Sequence, residues 1–520
     1  MTPVKQKTLP CPAKGIHWNP SREELRRLIE KMPNCRISRY GSVNVQTRVV
    51  SRSKASTYLV TDSPHDHSDQ TLPVARGLEM AKRQDDYLRD RDVLVIEGFI
   101  GDDPQFKVPA RLVMEAAFPN VAAMQRALYF PATKEELAGF EPEVTVIYTP
   151  GLKAEGFPSD RLIAVFLDRG ITRVFNSDYF GESKKGGLRM WNRIVYERGG
   201  LPMHSGAKIV PVDGGSRAFL IVGLSGTGKT TTTFTRQNGS SPVQDDFVAL
   251  MPDGRVHATE NGCFAKTFGL DPKYEPTIHA AVCHPDAYLE NVSQKPDGEL
   301  DFFDTSYTPN GRAVFAMERV DGYLEASNIR KADVLLILNR NENIVPAVCR
   351  IQGVQAAAFF MLGETKGTSA GGAEEAGKFL RIPGTNPFFP LRHALQGNRF
   401  LELSQRIGLE VYVLNTGRVG GPEDDPRSKK VRIPHSSAIV KAIAEGTIEW
   451  EKDRDFGYDV AGRVPGIDGT DLDLLQPRRL YEAQGRLDEH RALVEKTKKD
   501  RTEYLRKWPG LDPAIAGALR

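Results

Sequence analysis

Cysteine is scarce in this sequence, and the few cysteines do not cluster. The five of them stand far apart, without a Cys-x-x-Cys pair and without the spacing of a zinc site: Cys11, Cys35, Cys263, Cys283 and Cys349. A disulfide framework or a zinc-binding module would show paired or closely spaced cysteines. We therefore expect free thiols, as in a protein of the reducing cytoplasm.

Long apolar segments are also missing. Residues 1–15 contain proline and lysine but not the apolar core of a signal peptide. The longest apolar runs, such as residues 334–338, have the length of a strand. A membrane-spanning helix needs roughly 20 apolar residues. The sequence thus predicts a cytoplasmic protein without a membrane partner.

The chain has no strong excess of charge of either sign. Its 70 basic and 67 acidic residues give a formal net charge of +3. Such a balance gives no reason to expect a nucleic-acid partner, although local basic clusters are compatible with anionic small molecules. The length of 520 residues favours two or three domains. Nothing in the composition indicates the oligomeric state.

The clearest motif is a glycine-rich loop at residues 223–230, which reads Gly-Leu-Ser-Gly-Thr-Gly-Lys-Thr. An apolar run at residues 218–222 precedes it and predicts a buried strand. This arrangement fits the phosphate-loop template, in which backbone N–H groups surround phosphate oxygens. The candidate nucleotide-binding residues are Gly223, Leu224, Ser225, Gly226, Thr227, Gly228, Lys229 and Thr230. A plain glycine-rich turn would leave Lys229 without a role.

Three further groups of polar residues flank this loop. Lys184 and Lys185 lie in a glycine-bounded segment, residues 178–187, that predicts a tight polar turn. His204 follows a short strand-like stretch about 20 residues before the loop, and Asp246 belongs to an acidic pair about 15 residues after it. Carboxylates at such a position hold magnesium in many phosphate-loop enzymes. Taken alone, the two lysines are also compatible with a surface turn. His204 is likewise compatible with an ordinary structural histidine.

Strands and short helices mix throughout the chain, which predicts an α/β or α+β organisation. Ser21 is a predicted helix cap, and residues 479–508 predict one long charged helix. Residues 363–372 are rich in glycine and polar residues, which favours either a mobile loop over the nucleotide or a plain connector.

The order of these motifs resembles phosphoenolpyruvate carboxykinase of the ATP-using type. That family has an aromatic-Gly-Glu-x-Lys-Lys-Gly segment, a Met-His strand, the phosphate loop, an Asp-Asp pair and a Glu-x-Gly-Cys-Tyr/Phe-Ala-Lys-Thr box. All five occur here in that order, from Tyr179 to Thr267. Residues 93–111, 415–417 and 465–468 also have family counterparts, so the resemblance covers most of the chain.

The resemblance implies an α/β, two-domain phosphoenolpyruvate carboxykinase-like fold with a phosphate-loop nucleotide-binding C-terminal domain. Residues 1–200 would form the substrate-side domain and residues 201–520 the mononucleotide-binding domain, with a mobile lid near 363–372 and the active site in the cleft. The implied reaction converts oxaloacetate and ATP into phosphoenolpyruvate, ADP and carbon dioxide. Its partners would be small molecules, with Mn²⁺ and Mg²⁺ as cofactors.

The resemblance also implies roles for individual residues. Lys185, His204 and Asp246 would ligate the manganese ion, and Thr230 the nucleotide magnesium. Lys229 would stabilise the transferring phosphoryl group. The residues expected to bind the substrate are Arg52, Tyr179, Lys185 and Arg312. Those expected to take part in catalysis are Lys185, Lys229, Arg312 and Arg52, and those expected near the nucleotide base are Lys430 and Ser436.

The sequence departs from the family pattern at several of these places. Residues 51–57 keep Arg52 but lose the basic residues that usually follow it, and Phe247 and Val248 replace the usual Glu-His after the acidic pair. Lys430 stands where the family has an arginine, and Ser436 where it has a threonine. The alternatives are therefore GTP or pyrophosphate as donor, or another acceptor for a kinase of the same fold. A non-enzymatic nucleotide-binding module fits less well with so complete a set of residues.

Overall fold

The computed structural model describes residues 8–224, 226–367 and 377–519. The fold is mixed α/β, and the chain divides into two compact units. The first unit comprises Met1–Arg198, His257–Asp321 and Phe388–Arg392, and the second comprises Gly199–Val256, Gly322–Pro387 and His393–Arg520. This division differs from the predicted split into 1–200 and 201–520, because two later segments of the chain belong with the first unit.

Residues 8–198 contain strands mixed with helices. The strands are β1 (Gly15–Trp18), β2 (Cys35–Ile37), β3 (Val43–Val45), β4 (Thr57–Val60), β5 (Thr71–Leu72), β6 (Asp92–Ile100), β7 (Val108–Glu115), β8 (Val144–Thr149), β9 (Leu162–Phe166) and β10 (Ile171–Phe175). The helices are α1 (Arg22–Glu30), α2 (Val74–Leu88), α3 (Pro119–Leu128), α4 (Lys134–Ala138) and α5 (Gly181–Glu197).

These strands build an eight-stranded mixed sheet with the order β1-β6-β7-β8-β10-β9-β4-β5. Strands β7, β8 and β10 run parallel, and their residues are almost all buried. The long helix α5 packs against β8 and β10, where Gly186 allows close approach because an added Cβ would lie 3.1 Å from Thr172 Cγ2. The sheet therefore fixes the position of the first turns of α5, which carry Lys184 and Lys185.

The middle of the chain contributes to both units. Gly199–Val256 belongs to the second unit and His257–Asp321 to the first. The strands are β11 (Leu201–Met203), β12 (Ser205–Val212), β13 (Gly215–Val222), β14 (Ser241–Gln244), β15 (Val248–Leu250), β16 (Val256–Ala258), β17 (Gly262–Lys266), β18 (Tyr288–Glu290), β19 (Ser293–Gln294), β20 (Leu300–Asp301) and β21 (Arg312–Ala316). The helices are α6 (Lys229–Phe234) and α7 (Pro276–Val282).

Strands from this later segment complete a second sheet of the first unit, with the order β17-β21-β18-β3-β2. Strand β18 runs parallel to β3, with Tyr288 opposite Val43 and Glu290 opposite Val45. This long-range pairing is the physical reason why His257–Asp321 clusters with the N-terminal 198 residues rather than with the chain that precedes it.

The remaining chain belongs mainly to the second unit. Its strands are β22 (Val334–Asn339), β23 (Val348–Ile351), β24 (Glu364–Lys366), β25 (Phe379–Arg381), β26 (Glu410–Asn415), β27 (Arg418–Val419), β28 (Lys429–Lys430), β29 (Glu449–Lys452) and β30 (Asp459–Arg463). Its helices are α8 (Gly353–Leu362), α9 (Ala394–Ile407), α10 (Ile433–Glu445), α11 (Pro477–Ala483), α12 (Leu487–Leu505) and α13 (Pro513–Gly517).

The second unit is built on an eight-stranded sheet with the order β14-β12-β13-β22-β26-β23-β30-β29. Strands β13, β22 and β26 run parallel at its centre. Their buried side chains, such as Phe219, Leu336 and Leu414, form one hydrophobic core with Ile439 and Ile443 of α10. The loop at residues 223–230 leaves the end of β13, at the centre of this sheet.

Local sequence signals have mixed outcomes. The predicted cap of α1 is confirmed, because Ser21 Oγ accepts from Glu24 N at 3.1 Å and Ser21 N donates to Glu24 Oε2 at 2.6 Å. The polar turn predicted at residues 178–187 is wrong, since α5 begins at Gly181 and buries both lysines. The single helix predicted at residues 479–508 is also wrong, because Gly485, at φ +69°, separates α11 from α12.

The expectations for cysteine and for membrane segments can be compared directly with the structure. All five cysteines are free, as expected. In the described parts of the chain, no helix combines the length and the apolar character needed to cross a membrane.

Candidate functional site

The glycine-rich loop joins β13 to α6, as the sequence predicts. Gly223 lies so close to its neighbours that an added Cβ would stand 2.4 Å from Thr227 Oγ1. Gly228 precedes α6 with φ +91°. Residues with a Cβ adopt this backbone conformation only at a cost in free energy. These glycines let the chain turn tightly from the buried strand into the helix. Ser225 lies outside the described residues.

Lys229 and Thr230 are the first two residues of α6. Both side chains donate hydrogen bonds to the acidic pair, Asp245 and Asp246. Lys229 Nζ donates to Asp245 Oδ1 and Asp246 Oδ1, each at 2.7 Å. Thr230 Oγ1 donates to Asp245 Oδ2 at 2.9 Å. Burial disfavours the charge on Lys229, but Asp245 and Asp246 outweigh it and raise the pKa of the ammonium group above its usual value. The loop lysine therefore keeps its positive charge beside these two carboxylates.

His204 comes directly after β11 and reaches the same carboxylate. Its Nε2 lies 2.7 Å from Asp246 Oδ1, and its Nδ1 lies 2.9 Å from the carbonyl oxygen of Thr385. The carbonyl can only accept, so it holds the proton on Nδ1 and directs Nε2 towards Asp246. A histidine oriented through its other ring nitrogen is the usual arrangement of a metal ligand. Among the described residues, no three His, Cys, Asp or Glu side chains form a metal-binding group, so this pair would need a ligand of another type.

Hydrogen bonds link the segment before Lys430 and Ser436, the residues expected near the nucleotide base, to the glycine-rich loop. Thr416 Oγ1, after β26, donates to the carbonyl of Thr227 at 2.8 Å. Val431 N donates to the carbonyl of Gly417 at 2.9 Å. Lys430 is exposed at the end of β28, and Ser436 is half-buried in α10. The segment that carries Lys430 is therefore tied to the residue that follows Thr416.

In the first unit, the two lysines of α5 have different surroundings. Lys184 is buried and its Nζ donates to Glu260 Oε2 at 2.7 Å. Lys185 is also buried, and its Nζ lies 4.4 Å from the ring centre of Phe388. The pair of adjacent lysines thus separates into one lysine bound to a carboxylate and one lysine over an aromatic ring.

Arg52 lies over the same ring, with Cζ 5.0 Å from the centre of Phe388. Its segment is held by two buried carboxylates that flank the start of α5. Asp178 accepts from the backbone N–H groups of Arg48 and Val49, each at 2.9 Å, and Glu182 Oε1 accepts from Ser53 N at 2.6 Å. Arg52 and Lys185 are therefore brought together by backbone contacts and by Phe388.

Tyr179 and Arg312 meet at a second aromatic ring, that of Phe264 in β17. The Tyr179 ring centre lies 6.3 Å from that of Phe264, and Arg312 Cζ lies 5.2 Å from it. Arg312 stands opposite Glu290 in the pairing of β21 with β18. Burial raises the pKa of Glu290 to about 8, while its contact with Phe180 N and the charge of Arg312 act in the opposite direction. The predicted substrate residues thus lie around two aromatic rings, those of Phe388 and Phe264, in one unit.

Sequence reasoning missed several residues that contact the predicted ones. Asp245 was recognised only as part of an acidic pair, whereas it receives hydrogen bonds from both Lys229 and Thr230. Glu260, the partner of Lys184, was visible only as the first residue of a family motif. Glu290 and Arg189 had no signal in the local sequence, because long-range pairing and helix packing bring them to the site.

Comparison with known proteins gives a consistent result. A family model described as phosphoenolpyruvate carboxykinase matches residues 14–470. Phosphoenolpyruvate carboxykinase (ATP) 1 of Moorella thermoacetica is 31% identical over 468 residues, which are 86% of this chain and 86% of that protein. Phosphoenolpyruvate carboxykinase (ATP) of Aeropyrum pernix is 31% identical over 443 residues, 82% of this chain and 83% of that protein.

The family match and these relatives span both units described above, including the loop, the acidic pair and α5. The chain belongs to the phosphoenolpyruvate carboxykinase family.

Proposed function

We propose that this protein converts oxaloacetate and ATP into phosphoenolpyruvate, ADP and carbon dioxide. Membership of the family and relatives named for the ATP-dependent enzyme support the reaction. The observation that carries the proposal is the contact of Lys229 and Thr230 with Asp245 and Asp246, next to His204. A structural turn would have no need for a buried lysine and two carboxylates at its tip.

The second unit is the proposed phosphate-loop, mononucleotide-binding side. The backbone N–H groups of residues 223–230 would surround the phosphates, and Lys229 would stabilise the transferring phosphoryl group. Lys229 now contacts two carboxylates at 2.7 Å, so a triphosphate would replace one of these contacts with its own oxygens. Lys430 and Ser436 remain the residues proposed for the base. The lid proposed near 363–372 includes residues 368–372, which lie outside the described part of the chain.

The donor atoms fit a divalent metal site. Nε2 of His204 and Oδ1 of Asp246 already face each other in the second unit. Lys185, which belongs to the first unit, remains the third residue proposed for manganese, and its amine would have to be neutral to bind the metal. Thr230 and Asp245 supply the hydroxyl and carboxylate oxygens that suit magnesium. When bound, Mn²⁺ and Mg²⁺ would supply positive charge that stabilises an enolate oxygen and neutralises phosphate oxygens. In the second unit, Thr385 orients His204 through its Nδ1 for this role.

The first unit is the proposed acceptor side. Arg52, Tyr179 and Arg312 would hold the carboxylates of oxaloacetate, and the cationic groups around Phe388 and Phe264 favour such an anion. Loss of carbon dioxide breaks the bond between C3 and C4 and leaves an enolate, whose oxygen then attacks the γ-phosphorus of ATP as ADP leaves. Cationic side chains that face the enolate lower the barrier because its charge develops in that step.

One assay tests this function directly. Oxaloacetate is incubated with Mn²⁺, Mg²⁺ and either ATP, GTP or pyrophosphate, and the release of phosphoenolpyruvate is measured. We expect product with ATP and none with the Lys229→Met variant. Product with GTP or pyrophosphate alone would assign a different donor. Absence of product with all three donors, from protein that still binds ATP, would refute the proposal.

A further inference from the structure

Arg189 is a buried cation with unused hydrogen-bond donors. It lies in α5, four residues after Lys185, and is 5% exposed. Neither Nε nor Nη1 has a hydrogen-bond partner. Its nearest carboxylate is that of Asp69, with Nε 4.0 Å from Oδ2, and that oxygen also has no hydrogen-bond partner. A buried guanidinium in this state costs free energy, because its N–H groups have lost water without gaining acceptors.

The surroundings of Arg189 add a second unfavourable feature. Its Cζ lies 5.4 Å from the ring centre of Phe388, the ring that Arg52 and Lys185 also face. Three cationic side chains therefore converge on one buried aromatic side chain. Burial lowers the pKa of Arg189, the charges of Asp69 and Glu182 oppose this, and the charge of Arg52 lowers it further. The two guanidinium groups repel each other, and the charge of Asp69, which interacts with both, offsets part of this repulsion.

We propose that Arg189 binds a carboxylate of the acceptor together with Arg52, and so helps to select a dicarboxylate. The inference rests on the proposed function, because the acceptor side is defined by Arg52, Lys185 and Phe388. An acceptor carboxylate supplies the oxygen acceptors that Nε and Nη1 lack and places negative charge beside two guanidinium groups. Arginine suits this task because its planar group presents several N–H donors in a fixed geometry.

A purely structural role makes a different prediction. If Arg189 served only to pair with Asp69, its removal would leave a buried carboxylate without a partner and would destabilise the free protein. If Arg189 binds ligand, its removal weakens oxalate binding, whatever it does to the melting temperature of the ligand-free protein. Ligand affinity therefore separates the two roles.

The test measures binding of oxalate, malonate, acetate and inorganic phosphate to the full-length protein with Mn²⁺, by calorimetry and by the shift in melting temperature. Oxalate and malonate carry two carboxylates, whereas acetate carries one. We expect the wild-type protein to prefer the dicarboxylates. Arg189→Met should weaken oxalate binding by about tenfold or more, since a hydrogen bond to a charged group contributes about 1.5 kcal/mol or more. Arg189→Lys should recover part of the loss.

Arg173→Met is the matched control. Arg173 is a buried arginine of the same unit, but its Nη1 donates to Asp85 Oδ1 at 2.7 Å. Its loss should lower the melting temperature and leave oxalate affinity unchanged. Turnover provides a second measurement: Arg189→Met should raise KM for oxaloacetate and leave KM for ATP unchanged.

Two results would overturn the proposal. One is unchanged oxalate affinity in Arg189→Met together with a lower melting temperature that Asp69→Asn reproduces, which would assign a structural ion pair. The other is equal binding of acetate, phosphate and oxalate, which would assign a general anion site. Oxalate binding can be measured without turnover. If the carboxykinase assay fails but Arg189→Met still weakens oxalate binding, only the proposed function is refuted. If the wild-type protein turns over normally and Arg189→Met changes neither oxalate affinity nor KM for oxaloacetate, only the role of Arg189 is refuted.

Discussion

Nε2 of His204 lies 2.7 Å from Oδ1 of Asp246, while Nδ1 of the same ring is held by the carbonyl oxygen of Thr385 at 2.9 Å. Two atoms that commonly bind metals thus already face each other. The contact with Thr385 sets the orientation of the ring before any metal arrives, and this orientation depends on residues 181 positions apart in the chain.

Replacing His204 by glutamine should remove the dependence of phosphoenolpyruvate release on Mn²⁺. We expect kcat to fall by more than the roughly 10–100-fold that loss of an outer-shell partner causes, because a direct ligand is lost. Binding of ATP with Mg²⁺ should change little, since the residues around Lys229 remain. The measurements are the Mn²⁺-induced shift in melting temperature and the release of phosphoenolpyruvate. His279→Gln, in the first unit, is the control; an undiminished Mn²⁺ shift in His204→Gln would contradict the assignment.

Glu290 should make the protein less stable as pH rises. Burial raises the pKa of its carboxyl from 4.5 to about 8, so between these values the folded state binds a proton that the unfolded state releases. Stability from this group is therefore present at low pH and declines by up to about 1.4 kcal/mol per pH unit towards pH 8. Glu290→Gln can still accept from Phe180 N and should lose the dependence.

Urea unfolding at pH 5, 6, 7 and 8 measures this effect as the difference in unfolding free energy between Glu290→Gln and wild type. Taking the difference cancels the titration of all other groups. The variant should gain stability relative to wild type as pH rises. A difference that stays constant over this range would show that Glu290 ionises normally.

Lys208 should have the opposite dependence. It is fully buried in β12, and its Nζ donates to the carbonyls of Thr232 and Thr235 at 2.8 and 2.9 Å, in and after α6. Burial lowers its pKa from 10.5 to about 7, so above pH 7 the unfolded state binds a proton that the folded state has released. Stability from this group therefore rises between pH 7 and 10.5, by up to about 1.4 kcal/mol per unit.

Lys208→Met tests this by urea unfolding at pH 7, 8 and 9. Wild type should gain stability relative to the variant across this range, because only wild type carries the shifted amine. If the variant and wild type keep a fixed difference, the buried amine stays protonated throughout this range, as it does in the unfolded chain, and the prediction fails.

Arg501 should stabilise the second unit through Glu364. Arg501 Nε lies 3.0 Å from Glu364 Oε1, and Arg381 Nη2 lies 3.2 Å from Oε2 of the same carboxylate. Both Arg501 and Glu364 are buried. Arg501→Met leaves this carboxylate partly uncompensated, which should cost about 3 kcal/mol in unfolding free energy, at the lower end of the range because Arg381 remains.

Chemical denaturation measures this loss, and Lys496→Met on the same helix is the matched control. Lys496 pairs with Asp500 across one exposed helical turn, a contact of about 0.5 kcal/mol or less. Equal effects of the two variants would contradict a structural role for Arg501. That role has added interest because Arg501 lies beyond residue 470, where the family match ends.

Local sequence was sufficient for some elements and insufficient for others. The cap of α1 and the strand that leads into the glycine-rich loop depend on residues a few positions apart, and both were predicted correctly. The first turns of α5 were mistaken for a polar turn, because glycines and lysines favour turns when considered alone. Packing against β8 and β10 reverses that preference. The break at Gly485 was missed in a segment whose charge pattern suggested a single helix.

The sequence by itself determined the loop at residues 223–230 and the order of the motifs around it, because a phosphate loop is a contiguous pattern of glycines, lysine and threonine. Only the tertiary structure decided that Lys184 pairs with Glu260 and that Asp245 accepts hydrogen bonds from Lys229 and Thr230. It also decided that Arg189 and Arg52 lie over the ring of Phe388, where Nε and Nη1 of Arg189 lack acceptors. These relationships depend on sheet pairing and burial between distant segments. Burial also sets the charge of Glu290 and Lys208, since a pKa depends on the water that folding removes.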